Sequence, residues 1–136
     1  NLKEVERSGK GQTSAMDGVA LALPALMRAQ KLQKRAARTG FDWPDPSGSK
    51  DKILEEIDEV ETATSDAHKA EEAGDLLFAV VNYVRAHGIS AEDALRAANT
   101  KFEKRFRSME DMAQGDFADL SLDDQEKLWQ AVKRSE

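Results

Sequence analysis

Two short acidic patterns hold most of the chemistry this chain could do: Glu55-Glu56-x-x-Glu59 and, twelve intervening residues later, Glu72-x-x-Asp75. On a helix, spacings of three and four put Glu59 beside both Glu56 and Glu55. Like charges so placed repel by about 0.2–0.5 kcal/mol each, so something should offset them. For the first pattern alone the ordinary reading is a solvated acidic face with Lys50 and Lys52 nearby, because acidic helix faces are common. The second pattern shifts the balance. It abuts Leu76–Val81, an apolar run that ought to be core, and Glu72, Asp75, Ala79 and Asn82 share one stripe at steps of three, four and three. A polar stripe beside a buried run faces the interior or a cleft. Gly74 costs about 1 kcal/mol against alanine in mid-helix and hints at close approach by another element. Carboxylates withdrawn from water are expensive without partners, and a divalent cation is their simplest shared partner. Every donor is a hard oxygen, which favours Mg²⁺ or Mn²⁺ over zinc or copper. A di-iron bundle would want Glu-x-x-His on two helices, and Asp75 stands where that histidine would be. His68, one turn before Glu72 on an exposed first turn, and His87, at a helix C-terminus that favours its charged form, read as structural.

These side chains need rigid elements to bring them together, and the pattern supplies helices. Pro24 suits a first helical turn, after which Leu26, Ala29, Leu32 and Ala36 recur at helical spacing until Gly40 closes the segment. Residues 40–49, with two prolines and two glycines, read as a loop. A second helix carries Ile53, Ile57 and Val60. Ser65 is the expected N-cap of a third, which ends at Gly88. Ser90 and Asp93 resemble a capping box opening a fourth helix, with Leu95, Ala98, Phe102, Phe106 and Met109, to about residue 113. Ser121 and Asp124 repeat that signal before a short last helix with Leu128, Trp129 and Val132. No segment alternates convincingly as a strand. The expectation is an all-α antiparallel bundle at residues 24–136, preceded by an N-terminal arm at 1–23.

Composition narrows the function classes. The 136 residues carry 20 Lys and Arg against 26 Asp and Glu, a formal charge of −6, which argues against a non-specific nucleic-acid coat. Hydrophobic residues are 40% and charged residues 34%, too apolar for wholesale disorder and too polar for a membrane protein. With no cysteine, disulfides, thiolate catalysis and Cys-based zinc sites are excluded. That usage suits a reducing cytoplasm. No signal peptide is visible, and the chain opens with Asn1 rather than Met, which leaves open whether a piece lies upstream.

The acidic patterns and their flanks together resemble the MazG nucleoside triphosphate pyrophosphohydrolases. The flanks are LPALMRAQKLQKRAARTGFDW before the motif, and GDLLFAVVNYVRAHG and ANTKFEKRFR after it. The likeness covers nearly the whole chain and is nearest the C-terminal domain of two-domain bacterial members. It implies an all-α homodimer that hydrolyses nucleoside and deoxynucleoside triphosphates to the monophosphate and pyrophosphate with Mg²⁺, Mn²⁺ being a substitute. Glu56, Glu59, Glu72 and Asp75 match the family's metal ligands, and Glu55 matches an acidic neighbour in the catalytic set. Lys3, Lys52, Lys101 and Arg105 match basic positions of the substrate site. Trp129 and Lys133 fall where the family brings an aromatic and a cation to the nucleotide.

The chemistry fits independently. A triphosphate carries about four negative charges, and a carboxylate face repels it unless a cation lies between. Lys101 and Arg105, at i and i+4, can present two cations on one side of a helix, although such pairs usually just solvate a face. Trp129 alone is more often core than a nucleotide shelf. Two other readings stay open: a narrower enzyme acting on dUTP, dCTP or phosphoribosyl-ATP, and a non-catalytic helical dimerisation module that binds nucleotide. Neither a nucleic-acid polymer nor a membrane is an expected partner.

Overall fold

The structure is a computed structural model that describes residues 13–43 and 45–136. The described residues are all-helical, as expected, with no strand among them. They comprise α1 (Ala25–Ala37), α2 (Pro46–Thr62), α3 (Asp66–Ala86), α4 (Ala91–Met112), a 3₁₀ turn (Phe117–Asp119) and α5 (Leu122–Arg134). The chain divides into two compact units, Asn1–Glu92 and Asp93–Glu136. Lys3 lies outside the described residues.

Within the first unit α2 and α3 pack along each other, and α1 packs on α3. Only Ala63, Thr64 and Ser65 separate α2 from α3, so the two form an antiparallel hairpin. Ser65 caps α3 as expected, its side chain accepting from the His68 N–H at 3.1 Å. Gly88, with φ +75°, stops α3 in the left-handed conformation that favours glycine, while its N–H donates to the Arg85 carbonyl. Gln30 of α1 is tied across the link to α4: Ala91 N–H donates to its Oε1 at 2.9 Å. Arg35 holds the segment before α1 by donating to the Ala15 and Asp17 carbonyls.

Three expectations need correction. The loop at residues 40–49 is shorter, because α2 starts at Pro46. Asp45 caps it by accepting from the Ser47 N–H, and Pro46 sits in the first turn, where a missing N–H costs nothing. Its prolines and glycines were thus helix-start chemistry as much as loop chemistry. Second, Leu76–Val81 is not all core. Ala79 and Val81 are buried, but Leu77 is 61% exposed and Phe78 and Val80 are also open, because α1 and α2 cover only one side of α3. Third, Gly74 has no close neighbour: a Cβ there would meet nothing within 4 Å.

In the second unit Phe102, Phe106, Phe117 and Trp129 form an aromatic cluster, with Phe106 edge-on to Phe117 at 5.0 Å between centroids. Ser121 caps α5 by accepting from the Asp124 N–H, as its spacing implies.

Candidate metal centre

The antiparallel register of α2 on α3 brings one polar stripe of each helix face to face. From α2 come Ser49, Lys52 and Glu56, at steps of three and four; from α3 come Glu72, Asp75, Ala79 and Asn82. At one end Asn82 Nδ2 donates to Ser49 Oγ at 3.3 Å, both residues buried. At the other, carboxylate oxygens of Glu56, Glu72 and Asp75 all lie within 4.8 Å of one another. Burial grades across the trio from Glu56, 6% exposed, through half-buried Glu72 to open Asp75.

The electrostatics of this cluster are unbalanced. Lys52 Nζ reaches Glu56 Oε1 at 2.9 Å and Glu55 Oε2 at 3.7 Å, and these carboxylates hold the Lys52 ammonium above its ordinary pKa. Glu56 Oε2 is buried with no hydrogen-bond partner. Burial, and then the charges of Asp75, Glu59 and Glu56, push the Glu72 carboxyl up. His68, expected on an exposed first turn, is indeed open to solvent and lies 3.3 Å from Glu72 Oε1. Lys52 thus serves Glu55 and Glu56, while Glu56, Glu72 and Asp75 converge and one oxygen of Glu56 is left without a donor. A buried acceptor without a donor costs about 1–3 kcal/mol, more when charged. The donor set fits a divalent cation, with Glu56, Glu72 and Asp75 positioned to hold it by hard oxygens.

The other expected residues fall in different surroundings. Glu59 and Glu55 are exposed; Glu59 lies outside the three-carboxylate group, although Glu72 feels its charge. Lys101, Arg105, Trp129 and Lys133 belong to the second unit. There the Arg105 guanidinium lies 5.3 Å from the Trp129 ring centroid, a cation–π contact. Its Nε and Nη2 donate to the two oxygens of Glu136 at 2.7 and 2.8 Å. Arg105 therefore already presents a bidentate fork of the kind that binds carboxylate or phosphate. The i, i+4 spacing of Lys101 and Arg105 gave no hint that Glu136 would occupy it.

The sequence reading missed the surroundings of the α2–α3 stripe. Asp42 accepts from Arg85 Nη2 at 2.7 Å, and that hydrogen bond holds the Asp42 carboxyl below its usual pKa. Arg85 also donates to Asn82 Oδ1 through Nε and Nη2, so one network runs from Ser49 through Asn82 and Arg85 to Asp42. Gln33, 6% exposed, donates from Nε2 to the Phe78 carbonyl at 3.0 Å. A signal for Gln33 did exist: it stands four residues after Ala29 and seven after Leu26, a polar residue on the apolar stripe of its helix.

Comparison with known proteins agrees with the acidic motif. Residues 46–109, which contain all five carboxylates, match the model of the MazG nucleotide pyrophosphohydrolase domain. The chain is 48% identical over 143 residues to the nucleoside triphosphate pyrophosphohydrolase of Escherichia coli, covering 99% of this chain and 54% of that protein. It is 35% identical over 133 residues to the nucleoside triphosphate pyrophosphohydrolase/pyrophosphatase MazG of Thermotoga maritima, covering 96% of this chain and 52% of that one. It is also 41% identical to the uncharacterized protein YabN of Bacillus subtilis, of which it covers 30%. The chain spans about half the length of the first two relatives. Over residues 46–109, which span the helical hairpin and its acidic motif, the chain carries a MazG nucleotide pyrophosphohydrolase domain.

Proposed function

We propose that this chain hydrolyses nucleoside and deoxynucleoside triphosphates to the monophosphate and pyrophosphate, with Mg²⁺ as the metal and Mn²⁺ able to replace it. The observation that carries this reading is the convergence of Glu56, Glu72 and Asp75, together with the Glu56 oxygen that is buried without a hydrogen-bond partner. Those three hold the ion, and Glu59 joins them from the next turn of α2 by its match to the family motif. When bound, the ion neutralises charge on phosphate oxygens and polarises the phosphoryl group under attack.

The chain's own residues divide the remaining work. Lys52, already at Glu56, places a positive charge beside the metal ligands where a phosphate would arrive. Glu55 shares that ammonium and tempers it. Lys101, Arg105, Trp129, Lys133 and Lys3 are proposed as substrate contacts by resemblance. Such an enzyme would work among the nucleotides of the cytoplasm.

A panel of common and damaged nucleotides assayed for pyrophosphate tests the reading. Release is expected from several triphosphates in Mg²⁺, to stop when a chelator is added, and to return with excess Mg²⁺ or Mn²⁺. Release from one base only would narrow the enzyme to that substrate. No release from any member would overturn the enzymatic reading in favour of a nucleotide-binding module.

The assembly is proposed to be a homodimer. Leu54 is 54% exposed, and Ile57, Leu77 and Val80 are also open, two residues from each helix of the hairpin at i, i+3 spacing. A second copy would cover that face. Light scattering at micromolar concentration is expected to give twice the 15.0 kDa chain mass, and a monomer would contradict the assembly.

A further inference from the structure

The acidic stripe of α2 repeats itself: Glu56 and Glu59 carry the same side chain about one helical turn apart. Carboxylates alone therefore do not decide which of the two stands opposite Asp75 on α3. Apolar packing decides little either. The buried residues of α2 are Ser49 and Glu56, both polar, whereas Ile53 and Val60 are only half-covered and Leu54 and Ile57 are open. Apolar contact is non-directional and tolerates sliding; a buried hydrogen bond does not. One such bond joins the two helices. Ser49 Oγ accepts from Asn82 Nδ2, and both residues are buried. The Asn82 amide has no freedom to turn round. Its Oδ1 accepts from Arg85 Nε at 3.2 Å and from Arg85 Nη2 at 2.6 Å, which leaves Nδ2 as the group offered to α2. Arg85 is held in its turn by Asp42.

We propose that Ser49, Asn82 and Arg85 are positioning residues: they lock the register of α2 on α3 and so bring Glu56 to Glu72 and Asp75. The proposal rests on the metal reading of those carboxylates. Spacing ties the two ends of the stripe together. Glu56 stands seven residues after Ser49, and Asp75 seven before Asn82, about two turns along each antiparallel helix. The register set at Ser49 is thus carried to the carboxylates, about 10 Å along the hairpin. Charge opposes the alternative. Sliding α2 by three residues, to bring Glu59 opposite Asp75, would put Lys52 in the place of Ser49. The Asn82 Nδ2 donor would then face an ammonium, beside the Arg85 guanidinium, with no acceptor between them. A single buried amide fixes helix register in the same way in coiled coils.

Calorimetric titration with Mn²⁺ in the absence of nucleotide tests this, because it reads ligand geometry apart from catalysis. Ser49→Ala removes the acceptor, and Asn82→Leu removes the amide at nearly constant volume. Each should keep wild-type helicity and weaken Mn²⁺ binding about 10- to 100-fold, the usual result of disturbing the contacts that orient metal ligands. The Mg²⁺ concentration that half-saturates pyrophosphate release should rise in step. Ser49→Thr keeps the hydroxyl and should bind Mn²⁺ within about threefold of wild type, well inside that range. Gln30→Ala controls for stability: it cuts the tie to the Ala91 N–H and leaves the hairpin alone. It should melt lower than wild type and still bind Mn²⁺ within about twofold. Should Asn82→Leu fail to fold, Ser49→Ala, the smaller change, decides by itself. Unchanged Mn²⁺ affinity in Ser49→Ala, or equal weakening by Gln30→Ala, overturns the lock and leaves the metal centre standing. No Mn²⁺ binding by the wild type overturns the metal reading, and the lock with it.

Discussion

Asp75→Ala is expected to lose more than about 99% of pyrophosphate release at saturating Mg²⁺ while keeping wild-type helicity. Asp75 is the most exposed member of the carboxylate trio, so its truncation leaves no buried hole and the fold should tolerate it. A metal supplies several kcal/mol of charge stabilisation to phosphoryl transfer, and each 1.36 kcal/mol is about tenfold in rate. Stability should move the other way. The Glu72 carboxyl is raised by burial and then by Asp75, Glu59 and Glu56. A carboxyl whose folded pKa lies above its unfolded value contributes stability present below the unfolded pKa and lost as pH rises through the folded one. At neutral pH the clustered charges therefore oppose folding of the metal-free protein, and Asp75→Ala removes one of them. The metal-free variant should melt no lower than wild type near neutral pH, and any gain should shrink toward about pH 4 as the carboxyls protonate. Mg²⁺ should raise the melting temperature of the wild type and do so far less for the variant, because only a native-state ligand stabilises by mass action. Activity retained above about a tenth would remove Asp75 from the ligand set.

The helices and the acidic trio were legible because both rest on local rules. Periodicity placed all five helices, and the caps at Ser65 and Ser121 each accept from the N–H three residues further along. Glu56, Glu72 and Asp75 were readable because i, i+3 spacing fixes a helix face and the short link at residues 63–65 forces the faces to meet. What stayed hidden depends on contacts across long stretches of chain. Gln33 meets Phe78, and Asp42 meets Arg85, over 45 and 43 residues. Nothing within one helix says which neighbour a polar residue will find. The exposure of Leu77 was hidden for a related reason: hydropathy reports that a run can be buried, not that a neighbour from the same chain will cover it. Gly74 shows the reverse error, a local cost with no tertiary contact to account for it.

Hydrolysis in ¹⁸O-water should place label in the nucleoside monophosphate and none in the pyrophosphate. In that outcome water adds to the α-phosphorus, the bond from that phosphorus to the bridging oxygen breaks, and pyrophosphate departs with the bridging oxygen. The proposed function gives a reason to expect attack there. On the proposed reading, Glu56, Glu72 and Asp75 hold the ion that would neutralise charge at the α-phosphate. Charge neutralisation is strongest where preorganised groups lie closest to the developing charge, so that phosphorus should be the one activated. The Lys52 ammonium, whose charged form its carboxylate neighbours favour, stands at the same point. Label in the pyrophosphate would move the attack to the β-phosphorus. Release of orthophosphate and a nucleoside diphosphate would put the attack at the γ-phosphorus and overturn the pyrophosphohydrolase reading.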